Sequence, residues 1–300
     1  MRIDAPLILP ITRITDENPH VKTFWFDFVL QSEPGQFVML WIPGVDQKPF
    51  SVGYDEGGRF GLTIFAVGPL SKRLFELKAG DRVGITGPYG KSFSVLPNTH
   101  YITVAGGYGA GPLGVLAERL ASVNSTVDFC VGARSADLLL FEERMSKLPH
   151  VKVRVSTNDG GRGVQGYVTD LLESILNPGG VKDLSEGVPH GITQTGVVPQ
   201  VDASKDPSSQ TPRDGILVAT CGPELMEKRV LDICNQYNVP CEISIERYMK
   251  CGFGVCGQCC VDDSGITMCM KGPVVSREVA NIITEFGKYH RDKSGTKINY

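Results

Sequence analysis

The chain has little that would hold nucleic acid or enter a bilayer. Its 300 residues carry 30 Lys and Arg against 33 Asp and Glu, a net charge of −3. No basic excess marks a nucleic-acid or anionic-membrane footprint, and neither partner is expected. No stretch approaches the roughly 18 consecutive apolar residues of a spanning helix. The opening Met1-Arg2-Ile3-Asp4-Ala5-Pro6 lacks the basic start and apolar core of a signal peptide, so a cytoplasmic, reducing location is expected. Histidine is scarce, with five residues scattered along the chain, and no Ser-His-Asp or Cys-His arrangement stands out. No catalytic side chain of that kind is expected.

Cysteine, by contrast, is plentiful, with nine residues. Four of them, Cys251, Cys256, Cys259 and Cys269, follow C-x4-C-x2-C-x9-C. The first three repeat the run by which plant-type ferredoxins hold a [2Fe-2S] cluster through thiolates. Gly252, Gly254 and Gly257 permit the positive φ angles that a loop needs to turn backbone N–H groups onto cluster sulfides. Val261-Asp262-Asp263-Ser264-Gly265-Ile266 reads as a hairpin turn that swings Cys269 back towards the other three. A four-thiolate zinc site competes, but such sites usually use two C-x2-4-C pairs, and the tight spacing occurs here once. Disulfides would require an oxidising compartment. Cys130, Cys234 and Cys241 lie among apolar residues and read as core. Cys260 is either a substitute ligand or the other face of its strand.

Residues 1–97 alternate short β-rich runs with Gly, Pro and Asn or Asp turns, as in a small antiparallel barrel. The runs are 21–26, 36–41 and 61–67. From residue 98 strands at 101–105, 127–131, 151–156 and 216–219 alternate with helices at 113–121, 137–148, 168–176 and 224–237. That pattern predicts a parallel sheet covered by helices on both faces. The fold class is therefore multi-domain β plus α/β: a barrel at 1–97, a nucleotide domain at 98–238, and a small cluster-binding unit at 239–300. Residues 177–214 are too polar to offset their ordering entropy and read as a flexible insertion. The last strand is expected at 241–246, and a helix with a polar tail from about 276.

Several loops invite phosphate. Gly68-Pro69-Leu70-Ser71 opens a helix and presents N–H groups there, or Ser71 simply caps it. Gly106-Gly107-Tyr108-Gly109-Ala110-Gly111-Pro112 joins a buried strand to a helix; its glycines would let a dinucleotide pyrophosphate approach, or form a tight turn alone. Cys221-Gly222-Pro223-Glu224 repeats the arrangement, with Cys221 either at a nicotinamide ring or structural. Gly87-Pro88-Tyr89-Gly90 is a turn that can border the Gly68 pocket. Lys48-Pro49-Phe50-Ser51, at a strand end, is uninformative alone.

In this order, the motifs resemble the ferredoxin-NADP reductase superfamily along most of the chain. With E-R-Y-M-K-C-G-F-G-V-C-G-Q-C-C and G-I-T-M-C-M-K-G-P-V appended, the combination looks like the electron-transfer subunits of dihydroorotate dehydrogenase B. Thr157-Asn158-Asp159-Gly160 and Gly166-Tyr167-Val168-Thr169-Asp170 are also similar to that group. The resemblance implies FAD contacts at Lys48, Pro49, Phe50, Ser51, Thr63, Ile64, Phe65, Leu70 and Ser71, with Gly68 opening that loop. It implies ligation by Cys251, Cys256, Cys259 and Cys269. The candidate NAD set is Gly106, Gly107, Gly109, Gly111, Cys221, Gly222 and Pro223. An FMN-containing catalytic partner in a heterotetramer is implied too, with electrons passing from dihydroorotate through the partner's FMN, the cluster and FAD to NAD+ in pyrimidine (UMP) biosynthesis. Reductase subunits of a sulfhydrogenase, sulfite reductase or ferredoxin-NADP transhydrogenase share the architecture, and a cluster-based redox-sensing module is an alternative. Many relatives have Arg where Lys48 stands, and the Tyr108 position is usually small or threonine.

Overall fold

Alternating apolar and polar residues over short runs leave the N-terminal chain one way to bury itself, as a curled antiparallel sheet. The computed structural model describes residues 3–179 and 215–300. The expected insertion at 177–214 falls, from residue 180 on, outside the described residues. The first sheet comprises β1 (Ile3–Pro10), β2 (Arg13–Asn18), β3 (Val21–Phe26), β4 (Phe37–Ile42), β5 (Asp46–Asp55), β6 (Phe60–Phe65) and β7 (Arg82–Tyr89), with helix α1 (Pro69–Phe75) between the last two. Its order is β1-β7-β4-β5-β6-β3-β2, antiparallel throughout. The two edge strands are consecutive in the chain, so the sheet curls until its edges meet near Ile11. Phe24, Phe26, Leu40, Phe60, Leu62 and Ile85 fill the interior with no exposed surface.

The second sheet holds β8 (His100–Gly106), β9 (Thr126–Ala133), β10 (Val151–Thr157), β11 (Val164–Gln165), β12 (Ile216–Cys221), β13 (Cys241–Ser244) and β14 (Val274–Ser276). The order β11-β10-β9-β8-β12-β13-β14 reverses direction between β8 and β12. Its strands are nearly continuous runs of buried residues, as sheets covered on both faces require. Helices α2 (Ala110–Ser122), α3 (Glu142–Ser146), α4 (Val168–Leu176) and α5 (Glu224–Tyr237) link its strands. Only β14 runs antiparallel, and it comes from the segment after Cys269. After α6 (Met268–Lys271) and β14, α7 (Arg277–Ile282) leads to a hairpin of β15 (Tyr289–Arg291) and β16 (Lys297–Asn299). Among the described residues no helix is long and apolar enough to cross a membrane.

Three expectations change. The helix expected at 137–148 is a short 3-10 turn and then α3, because Phe141 takes a left-handed φ of 63°. Leu140 and Phe141 are both buried in the core at this turn. The strand expected at 241–246 ends at Ser244. The polar tail is the β15–β16 hairpin, closed at Asp292-Lys293-Ser294-Gly295, with Gly295 at φ 83°. The cysteine-bearing segment has no core of its own: Cys259, Val261, Met268 and Cys269 join one apolar cluster with Ile102, Val104 and Val218 of the nucleotide sheet and Met39 and Tyr89 of the barrel.

Where the first two units meet, Arg144 of α3 donates to the Gly53 carbonyl of β5 at 2.9 Å, pairs with Glu118 and lies 3.6 Å from the Tyr54 ring centroid. At the other junction Arg247, with a side chain 3 % exposed, pairs with Glu224 at 2.5 Å and Glu285 at 2.6 Å. Glu224 also accepts from the Gly287 N–H and the Tyr300 hydroxyl, and Glu285 from the Asp262 N–H. Two carboxylates so enclosed depend on the one guanidinium. Arg247→Ala should therefore cost roughly 3–5 kcal/mol, the usual penalty for orphaning a buried charge. The check is the midpoint of chemical unfolding, with Arg247→Lys recovering only part of the loss because an ammonium lacks the two-sided fork.

Candidate functional site

The four cysteines stand on a loop that could only be built with glycine at three positions. Gly252, Gly254 and Gly257 adopt φ of +84°, +85° and +68°. At Gly252 a Cβ would also sit 2.8 Å from Met39 Cγ, so the loop lies directly on barrel strand β4. The expected hairpin forms: Val261 N–H donates to the Ile266 carbonyl at 3.0 Å, and Cys260 bridges Thr267. This brings Cys269, at the start of α6, to Cys259, whose sulfur accepts the Cys269 N–H at 3.3 Å. Cys260 is half-buried on the opposite face of that short strand from buried Cys259.

The thiols form two pairs, Cys251 with Cys256 and Cys259 with Cys269. Burial opposes ionisation of Cys251, but N–H groups of Cys256, Phe253 and Val255 and the Cys256 thiol point at its sulfur and hold it down at about 7. The Cys269 thiol, with N–H groups of Cys269, Cys259 and Met268, outweighs burial and brings Cys259 down to about 6. That shared hydrogen bond and then burial push Cys269 up, against the Gly254 N–H. Among the described residues no three His, Cys, Asp or Glu side chains converge tightly enough for one ion. A zinc site needs four donors around one centre, whereas a two-iron cluster takes two thiolates at each iron. Two thiol pairs lined by inward N–H groups fit the second demand, and the amides supply the sulfur-directed hydrogen bonds such clusters need.

The candidate FAD residues are contiguous in space. Lys48, Pro49, Phe50 and Ser51 lie within β5 rather than at its end, paired with Leu40, Met39, Val38 and Phe37 of β4. Thr63, Ile64 and Phe65 end the adjacent β6, and Phe65 is exposed. Gly68 caps α1, and the Ser71 hydroxyl accepts from the Val67 and Gly68 N–H groups at 3.0 Å each, so Ser71 does act as a cap. The N–H groups of Leu70 and Ser71 remain in the first helical turn, and a Cβ on Gly68 would meet nothing within 4 Å. Lys48 is not a free cation: it pairs with Asp46 at 2.8 Å and donates to the Tyr248 hydroxyl at 2.7 Å, over that ring. Pro88, Tyr89 and Gly90 line a cavity of about 460 Å³ with Cys269 and Met270, on the cysteine side.

In the candidate NAD loops the glycines divide into two kinds. A Cβ on Gly109 would fall 2.0 Å from the Cys221 carbonyl oxygen, and one on Gly106 2.7 Å from Pro223 Cδ; these glycines let two βα loops pack on each other. A Cβ on Gly111 would lie 3.5 Å from the Cα of Gly53 of the barrel. Gly107, at φ +52° with nothing within 4 Å, is the open one. The Gly222 N–H is taken from inside by Glu227 Oε1 at 3.0 Å, and Pro223 has none to offer, so the Cys221 loop turns no free donor of this pair outward. Glu227 is fully buried, and burial, then Glu246, pushes its pKa up. Cys221 is 4 % exposed, and burial, then Glu227 and Glu246, push its thiol pKa up. Sequence reasoning missed Glu227, Glu246, Arg247 and Tyr248 as individual groups. A charged residue between the apolar run 241–245 and a cysteine loop was the available signal for Arg247.

Comparison with known proteins agrees with this geometry. Residues 246–279 match the model of the iron-sulfur cluster binding domain of dihydroorotate dehydrogenase B. A protein of Methanocaldococcus jannaschii named as a probable dihydroorotate dehydrogenase B (NAD+) electron transfer subunit is 38 % identical, matched over 99 % of this chain and 100 % of its own length. One of the same name from Methanothermobacter thermautotrophicus is 35 % identical over 99 % and 98 %. The solved NADH-dependent reduced ferredoxin-NADP oxidoreductase superposes with a TM-score of 0.71 at 24 % identity, over 91 % of this chain and 89 % of that one. A ferredoxin NADP+ reductase from Neisseria gonorrhoeae, solved with FAD and NADP, gives 0.58 at 16 % over 77 % and 91 %. The two structures establish the fold. With sequence relatives matched almost end to end, this chain belongs to the family of dihydroorotate dehydrogenase B electron transfer subunits.

Proposed function

We propose that the chain carries electrons between a separate FMN-containing catalytic subunit, which oxidises dihydroorotate to orotate, and NAD+. The setting is pyrimidine (UMP) biosynthesis in the cytoplasm, within a heterotetramer. The observation that carries this reading is the cysteine loop: two thiol pairs, enclosed by backbone N–H groups, resting on the barrel strand next to the one that bears Lys48–Ser51. When bound, FAD and a [2Fe-2S] cluster supply the exchange between one-electron and two-electron chemistry that nicotinamide and a partner flavin require.

The residues' own tasks follow from their positions. Cys251, Cys256, Cys259 and Cys269 would hold the cluster, with backbone N–H groups of the loop turned towards their sulfurs. Lys48–Ser51, Thr63–Phe65 and the Gly68–Ser71 turn hold the flavin nucleotide, with the first turn of α1 facing its phosphates. Gly106–Gly111 and Cys221–Pro223 hold NAD at the sheet's direction switch, where ligands bind in open α/β folds. Phe253, Val255 and Met270 surround exposed Cys256 and are 43 %, 77 % and 42 % exposed. An apolar rim around a redox centre is where a partner would dock. A reductase subunit of another complex is the second reading, favoured by the likeness to the reduced ferredoxin-NADP oxidoreductase.

Co-purification with the candidate catalytic subunit should give dihydroorotate-dependent NAD+ reduction. A complex that forms but reduces NAD+ only with a different donor would favour the second reading. Cys256→Ser is expected to abolish the cluster's electron paramagnetic resonance signal while yellow flavin stays bound; an unchanged signal removes Cys256 from the ligand set. Val255→Glu should weaken association with the partner about tenfold or more, read by titration, with iron and flavin content retained.

A further inference from the structure

The three central strands β8, β12 and β13 present their carboxyl ends side by side, with Cys221 of β12 in register with Ala105 of β8. Tyr108, just beyond β8, crosses this edge. Its hydroxyl donates to Glu246 Oε2, two residues beyond β13, at 3.2 Å. The ends of the arch that bears it are locked, since Gly106 and Gly109 are packed against Pro223, Met226 and the Cys221 carbonyl. Between them runs a single 3-10 turn, Gly107–Gly109, where a Cβ on Gly107, at φ +52°, would meet nothing within 4 Å. Cys221, the last residue of the β12 strand that lies between β8 and β13, is 4 % exposed. The phenol thus links the segments that follow β8 and β13 across the carboxyl end of β12, which lies between those strands. The bridge is a single, rather long hydrogen bond between two loop residues, the kind of contact a ligand can exchange for its own.

We propose that Tyr108 is a displaceable placeholder for the nicotinamide ring, and that its release from Glu246 sets the apparent affinity of this subunit for NAD+. The proposal deepens the electron-transfer reading and rests on the dinucleotide binding at this edge. Only the fraction of molecules with Tyr108 released accepts the ring, so the observed dissociation constant is the intrinsic one divided by that fraction. Association slows by the same factor, and dissociation is unaffected. The hydroxyl also connects the loop after β8 to Glu246, the neighbour of Arg247, so ring entry loosens a contact on the segment leading to Cys251.

The test uses the FAD-loaded chain with its cluster in place, after flavin and iron contents have been matched to wild type. NAD+ binding is measured by calorimetry, and its association and dissociation rates by stopped flow, for wild type, Tyr108→Phe and Tyr108→Thr. Losing one hydrogen bond should tighten binding by about fivefold in Tyr108→Phe, wholly through faster association, and at least as much in Tyr108→Thr. Unchanged or weaker binding in both variants, or tightening through slower dissociation, overturns the placeholder role. Failure of the wild type itself to bind NAD+, with no flavin reduction by NADH, overturns instead the dinucleotide reading on which it rests.

Discussion

Arg247 is the point through which the two ends of the electron path are held together. Its guanidinium is shared between Glu224, which follows the Cys221–Pro223 loop, and Glu285, which holds the Asp262 N–H of the cysteine hairpin. The Cys221–Pro223 loop and the cysteine hairpin are thus both tied to one buried cation, in addition to the apolar packing of the cysteine segment on the nucleotide sheet. A buried network of this kind adds little net stability over an apolar core. What it adds is position: each partner has one geometry in which all of its hydrogen bonds are made. Fixed spacing matters more to electron transfer than to folding.

The cysteine loop has the same logic on its other side. Gly252 lies on Met39, and Phe253 packs at 6.3 Å from the Tyr89 ring, so barrel strands β4 and β7 form the floor beneath it. The floor strand β4 pairs directly with the Lys48–Ser51 stretch of β5. Lys48 reaches from that stretch to Tyr248, three residues before Cys251. The flavin-side residues and the cysteine-side residues therefore share one strand pair and one hydrogen bond. On the far side of the loop Phe253, Val255 and Met270 are exposed.

Much of this was legible in the chain itself. Helices 168–176 and 224–237 form at the expected residues, because each carries a regular apolar stripe and a defined stop; Asn238 takes the left-handed conformation that ends the second. The three loop glycines take the expected positive φ. The helix expected at 137–148 is interrupted at Phe141, whose left-handed φ of 63° belongs to the packed structure and carries no signal in local propensity. The C-terminal hairpin went unseen because its strands have three residues each, too few for a period to register. The Cys221 loop looked like a second phosphate turn, since nothing in a linear reading shows that Glu227 has taken the Gly222 N–H.

By itself, then, the sequence determined everything whose cause lies within one or two turns of backbone: the thiol spacing, the glycines that let the loop reverse, and the order of barrel, nucleotide sheet and cysteine segment. Tertiary structure alone decided which thiol pairs with which, that Arg247 joins Glu224 to Glu285, and that Tyr108 closes on Glu246, 138 residues away. The reason is physical. Spacing along a chain constrains only neighbours, whereas contacts between distant residues arise when apolar faces pack and leave each buried polar group to find a partner.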